Sequence, residues 1–144
     1  MTDSIKGFQG DNRFLTNFYP CNVIFEGLSY KSSEAAYQAN KSLDNLVRQE
    51  FCSLDAREAR RKGQSIKIRS DWEDDKLNVM YRILRSKFTQ DSGLKFKLLS
   101  TGDAYLEETN YWHDTFWGVY NGKGENHLGR LLMVVRDELR EGII

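Results

Sequence analysis

Leu77, Met80, Leu84 and Phe88 recur at three- and four-residue intervals, and Leu128, Leu131, Leu132, Val135 and Leu139 repeat the pattern towards the end of the chain. Such spacing draws one apolar stripe along an α-helix, and a stripe of that kind has to be covered by other elements. The first helix is expected to open at Ser70-Asp71-Trp72-Glu73, which has the spacing of a capping box; the second starts near Asn126 and stops at Gly142. Asp55-Ala56-Arg57-Glu58 carries the same capping-box spacing. Ser32 or Ser33 caps another helix to about Leu43, and one more runs from Ser92 to Leu99 before Gly102. Asn22 to Phe25 and Leu28 to Tyr30 read as strands around a tight Glu26-Gly27 turn; Ala104 to Glu107 and Thr115 to Val119 also look extended. The sum is an α+β domain, mainly helical with a few short strands. With 144 residues and no linker or repeat, a single domain over 1–144 is expected.

The charge balance narrows the partners. Lysine plus arginine equals aspartate plus glutamate at 21 each, so no whole-protein field draws in nucleic acid or an anionic membrane. A local basic cleft is compatible with that balance. The polar start MTDSIKG has no apolar segment of a secretory signal, and no run approaches the length of a membrane span. A cytoplasmic protein with no membrane partner is expected, and its two cysteines, Cys21 and Cys52, are expected to be reduced. His113 and His127 are the only histidines, and no His/Cys/carboxylate cluster has metal-ligand spacing. No metal site and no cofactor are expected.

Glu34, Gln38 and Lys41 stand at i, i+4 and i+7 on the Ser32/Ser33 helix, which puts a carboxylate, an amide and an ammonium in a row about 10 Å long. That set can carry acid/base or nucleophilic work. A solvated helix face explains the same spacing. Farther on, GKGENHLG (Gly122 to Gly129) leads into the last helix, where backbone N–H groups can meet a phosphate, although the segment matches neither common phosphate fingerprint. A plain turn with Asn126 as N-cap is the alternative. Tyr111, Trp112, His113, Phe116, Trp117 and Tyr120 crowd one stretch, as aromatics do when they line a pocket that stacks a base, or when they build a core. Arg57, Arg60, Arg61, Lys62, Lys67 and Arg69 form a basic cluster that suits either a polynucleotide or a solvated face.

Five blocks in order carry a family resemblance: FQGDNRFLTNFYPC (Phe8 to Cys21), YKSSEAAYQANK (Tyr30 to Lys41), RSDWEDDKLNVM (Arg69 to Met80), LEETNYWHDTFWG (Leu106 to Gly118) and GKGENHLGRLLMVVR (Gly122 to Arg136). Together they resemble the NADAR (YbiA-like) family; Leu43 to Ile68 aligns to nothing diagnostic. The resemblance implies a compact single-domain YbiA-like α+β fold and cleavage of N-glycosidic bonds in phosphoribosyl or ADP-ribosyl compounds. By motif it makes Glu34 the catalytic carboxylate, Lys41 the lysine that ends its helix, and Asp114 a further catalytic candidate. It places Trp117 and Gly118 in the DxxWG piece, with Glu108 and Asn110 just before it. Asn126 and Gly129 fall in a GxNxLG turn that would meet phosphate or ribose. Trp72 and Lys76 come from a helix start, and Asn17 and Phe18 would shape the pocket.

A glycosidic bond breaks through an oxocarbenium-like state that a nearby carboxylate stabilises, which suits Glu34 or Asp114. Lys41 is the candidate nucleophile, because a desolvated lysine can form a Schiff base with an opened sugar. The expected reaction is removal of ADP-ribose from ADP-ribosylated guanine, in a nucleotide or in DNA or RNA. Hydrolysis of ribosylamino-pyrimidine phosphates of riboflavin synthesis and non-catalytic binding of ADP-ribose or NAD are the alternatives. The presence of both Glu34 and Lys41 counts against the binding module.

Overall fold

A computed structural model describes residues 3–144; Met1 and Thr2, which begin the polar MTDSIKG stretch, lie outside the described residues. The architecture is α+β, dominated by helix, with two separate two-stranded sheets. The chain forms two compact units, one from residues 17–91 and the other from residues 3–16 with 92–144. No helix among the described residues is long and apolar enough to cross a membrane.

In the unit of residues 17–91, β2 (Val23–Phe25) and β3 (Leu28–Tyr30) pair antiparallel, after the first strand, β1 (Ser4–Lys6), of the other unit. Glu26 and Gly27 turn them with φ of 47° and 85°, the left-handed pair that such a two-residue hairpin demands. Ser32 caps α1 (Ser33–Ala39), its hydroxyl accepting from the Ala35 N–H at 3.1 Å. The helix ends earlier than Leu43. Asn40 turns its buried side chain back to donate to the Ala36 carbonyl at 2.7 Å, and the following N–H groups of Lys41 and Ser42 bond three residues back, to Gln38 and Ala39. That tightened turn takes Lys41 off the helix proper. Helix α2 (Asn45–Gln49) arises in the stretch with no periodic signal, started by Asp44 accepting from the Leu46 N–H.

Helix α3 (Ala56–Gly63) begins with the expected capping box: Asp55 accepts from the Glu58 N–H at 2.8 Å and Glu58 from the Asp55 N–H at 2.9 Å. The second expected box does not form. Helix α4 (Trp72–Gln90) starts after Asp71, whose carboxylate makes no cap and instead accepts from both Nε and Nη2 of Arg69. Its buried face is Trp72, Val79, Met80, Ile83, Leu84 and Phe88; Leu77 lies off this stripe, at 37% exposure. Val23, Phe25, Tyr30, the α1 alanines, Phe51, Ala59, Trp72, Val79 and Ile83 make this unit's core.

In the other unit, β1 pairs parallel with β4 (Tyr105–Glu107), and α5 (Ser92–Ser100) and α6 (His127–Arg140) pack together. Leu128, Leu132, Val135 and Leu139 of α6 are buried, as the stripe requires, while Leu131 is only half-buried. Thr115 to Val119 is not a strand. The Asp114 side chain accepts from the N–H groups of Phe116 and Trp117 and folds the segment into a turn, leaving Val119 a lone bridge to Thr109. Asn126 sits at the start of α6 in the left-handed region (φ 54°) but does not cap it. Its side chain is buried and clamps β4: Oδ1 accepts from the Glu108 N–H at 3.0 Å, and Nδ2 donates to the Leu106 carbonyl at 2.9 Å. Asn126→Ala orphans both of those backbone groups. It is expected to lower unfolding stability by about 2 kcal/mol or more, measured by urea denaturation; a loss under about 0.5 kcal/mol would mean the clamp is dispensable.

Candidate active site

Helix α1 is wrapped by its surroundings. Ser33, Ala35, Ala36, Gln38 and Ala39 are all buried, and Glu34, Tyr37 and Lys41 are half-buried. The Glu34-Gln38-Lys41 row is therefore not a solvated face. The Gln38 amide Nε2 donates to Glu34 Oε2 at 2.6 Å. The Glu34 N–H donates to the Asn17 carbonyl at 2.9 Å, so Asn17 braces the first turn of α1 from outside it. Phe18, beside it, is 39% exposed.

Lys41 stands in the turn after α1 with Nζ 5.6 Å from the centre of the Tyr37 ring. Burial pushes its ammonium below the ordinary lysine range; the Glu34 charge pulls it back up, and Arg60 and Lys76 push it further down. The net direction is down, so more of Lys41 is a neutral amine near neutral pH than for an exposed lysine. Tyr37 also meets Trp72, ring centres 5.1 Å apart. Lys76, one turn along α4, pairs with Glu73. Glu34, Lys41, Trp72, Lys76 and Asn17 thus converge on the surroundings of α1.

Arg69 holds this arrangement, although the basic run around it reads as a solvated face. Its N–H donates to the Lys41 carbonyl at 2.7 Å and its Nη1 to the Asn40 carbonyl at 3.3 Å. Nε and Nη2 reach Asp71, and Nη2 also reaches Asp75 at 2.8 Å. Those carboxylates hold the guanidinium above its ordinary pKa, and its side chain is only 8% exposed. Lys62 is likewise tied, to Glu50, whereas Arg57, Arg60, Arg61 and Lys67 are exposed. A guanidinium recruited by acids two and six residues downstream was the available sequence signal.

The other expected residues lie in the second unit, where they bond mainly to one another. Asn110 is a buried loop organiser: Nδ2 donates to the Glu108 and Asp114 carbonyls, and Oδ1 accepts from the N–H groups of Trp112 and Asp114. A Cβ on Gly118 would lie 2.1 Å from the Glu108 carbonyl oxygen, and one on Gly129 2.1 Å from that of Leu106. Both glycines are there for close backbone approach. The N–H groups of Glu125, Asn126, His127 and Leu128 donate to the carbonyls of Thr115, Gly118, Phe116 and Trp117. These four donors are spent inside the protein, so the GKGENHLG junction does not present them to a phosphate. The aromatic stretch is not uniform core: Tyr111 and Trp112 are exposed, His113 stacks on Tyr120 at 4.1 Å, and Phe116 meets Trp117 at 4.9 Å. Both cysteines are free thiols. Among the described residues, no group of three His, Cys, Asp or Glu side chains is arranged to hold a metal ion.

The chain is similar to known proteins along nearly its whole length. The NADAR domain model matches residues 6–140. A riboflavin biosynthesis protein of Vibrio vulnificus is 42% identical over 132 residues, which is 89% of this chain but 36% of that protein, so the chain spans about a third of its length. N-glycosidase YbiA of Escherichia coli is 36% identical over 146 residues, covering 96% of this chain and 91% of that protein. The NMR structure of the E. coli protein YbiA superposes with a TM-score of 0.86 at 35% identity, covering 99% of this chain and 88% of that one. The chain belongs to the NADAR domain family.

Proposed function

We propose that the chain is an N-glycosidase that hydrolyses the bond between a base nitrogen and the anomeric carbon of a phosphorylated ribose, with ADP-ribose on guanine as its substrate. The observation that carries this reading is the coupled pair on and after α1: the Glu34 carboxylate, gripped by buried Gln38, within electrostatic reach of the partly desolvated Lys41 amine. Similarity to E. coli N-glycosidase YbiA supports the reaction class.

As the C1–N bond breaks, its electron pair goes to the base nitrogen, which takes up a proton, and positive charge develops on C1 and the ring oxygen. Glu34 stabilises that charge and takes the proton of the water that adds to C1. Lys41 offers a covalent route. Its neutral amine adds to C1, the sugar opens to an imine, and water hydrolyses the imine to free the sugar and restore the amine. Metal-independent action fits these side chains. Asp114 spends its Oδ1 on the Phe116 and Trp117 N–H groups, which favours Glu34 over it as the acid/base group. Exposed Arg57, Arg60, Arg61 and Lys67 suit a substrate guanine carried in DNA or RNA. A second reading, hydrolysis of ribosylamino-pyrimidine phosphates, is favoured by the 42% identity to a riboflavin biosynthesis protein.

Incubated with ADP-ribosylated guanosine and, separately, a ribosylamino-pyrimidine phosphate, the protein is expected to release free ADP-ribose from the first, followed by mass. Turnover of the pyrimidine compound alone selects the second reading, and turnover of neither overturns the N-glycosidase assignment. Glu34→Gln is expected to reduce turnover about a hundredfold or more, the scale of a lost acid/base group, with the melting temperature nearly unchanged.

Lys41 separates the two routes. Borohydride added during turnover is expected to trap a sugar adduct on Lys41, and Lys41→Arg to trap none, because arginine stays protonated at neutral pH. A wild type that traps nothing, with a nearly fully active Lys41→Arg variant, would assign the nucleophile's part to water.

A further inference from the structure

Gly63 closes α3 with a backbone that is not left-handed, so its conformation gives no reason for a glycine there. Glycine is also a poor residue within a helix. Space gives the reason. A Cβ on Gly63 would stand 2.0 Å from Gln38 Oε1 and 2.7 Å from Gln38 Cδ, overlaps that are relieved only if the Gln38 amide moves. Gln38 is 6% exposed, so it has no solvent to swing into.

The amide has one workable orientation. Its Nε2 donates to Glu34 Oε2 at 2.6 Å, and the flipped amide would set an oxygen against that carboxylate. The orientation leaves Gln38 Oε1 buried without a hydrogen-bond partner, directed at the Gly63 backbone. An amide oxygen against Cα–H atoms keeps only a weak contact. Buried polar atoms are seldom left in this state, and the ones that are call for a reason in strain or function. Here the orphaned oxygen is the consequence of aiming the other end of the amide at the residue assigned the chemistry.

We propose that Gly63 is a positioning residue for the Glu34 carboxylate, acting through the Gln38 side chain for which it leaves room. In kinetic terms this rests on the N-glycosidase reading; in structural terms it stands alone. Any side chain at Gly63 pushes the Gln38 amide out of line with Glu34, and the carboxylate loses the amide donor at its Oε2. The loss falls on the chemical step, because Gln38 and Gly63 are not themselves placed against the sugar.

The test compares Gly63→Ala, Gln38→Ala and the double variant. Each single variant is expected to lower kcat about 10- to 100-fold, the scale of a misaligned catalytic group, with KM moving much less. The double variant is expected to be no worse than Gln38→Ala alone, because the alanine at 63 then has no amide to displace. A second readout needs no turnover: the Gln38 side-chain amide proton in NMR spectra is expected far downfield in the wild type, and shifted upfield by both Gly63→Ala and Glu34→Gln. Losses that multiply in the double variant, or a folded Gly63→Ala that keeps kcat within about twofold, would overturn the proposal. So would a Gln38 resonance that Gly63→Ala leaves in place. If Gly63→Ala does not fold, Gln38→Ala decides: full activity there overturns the role of the amide and of Gly63 with it. A wild type inactive on both substrates would sink the N-glycosidase reading instead, and the NMR arm would still decide this one.

Discussion

The unit of residues 17–91 depends on Arg69. Through its backbone N–H and its guanidinium it takes the carbonyls of Lys41 and Asn40, and through the same guanidinium it takes Asp71 and Asp75 at the head of α4. Charge-assisted bonds of this kind are the stronger ones, and a planar fork that spans several acceptors fixes direction as well as distance. The turn after α1 is thereby fastened to the start of α4. Two neighbouring side chains sit beside that fastening. Lys41 leaves the helix and settles over Tyr37, and Trp72 is held against the same ring.

Around this anchor, the polar atoms that find no protein partner are concentrated on α1 and beside it: Asn17 Oδ1, Ser33 Oγ, Gln38 Oε1 and Asn40 Oδ1. A chain selected for stability alone would fill these positions with apolar residues, as it does at Ala35, Ala36 and Ala39 between them. In the other unit Arg136 Nε is also unpartnered, but the asparagine amides there are satisfied. Asn110 and Asn126 satisfy their amides against loop and strand backbone, and Gly118 and Gly129 are small because a carbonyl passes within 2.1 Å of where a Cβ would be.

This contrast explains what was legible in the sequence. The capping box at Asp55 and Glu58, the Glu26-Gly27 hairpin and the α6 stripe are local patterns, and local patterns survive folding when no distant group competes. The box expected at Ser70 and Glu73 does not form: α4 starts one residue later, after Asp71, whose carboxylate Arg69 holds, and Glu73 pairs with Lys76. Helix α1 is shorter than its sequence suggests because the Asn40 side chain turns back to the Ala36 carbonyl and Arg69 takes the carbonyls of Asn40 and Lys41. Residues of different family blocks differ in what they bond to. Glu34 and Lys41 are half-buried beside α1, while Asn126 bonds β4 and Gly129 lets the Leu106 carbonyl approach, a difference that only the bonding partners reveal. Gly63 was invisible for the same reason: its partner, Gln38, is 25 residues away in the chain.

Glu34 and Lys41 are one electrically coupled pair in a partly dry setting. Carbon-13 lysine labelling, with the Lys41 signal identified by its loss in Lys41→Arg, allows its titration to be followed directly by NMR. Burial is the larger influence and depresses the ammonium, while the Glu34 charge raises it, so Lys41 should titrate below the exposed lysines and lower still in Glu34→Gln. A Lys41 that titrates with the surface lysines and ignores the loss of the Glu34 charge would contradict the account.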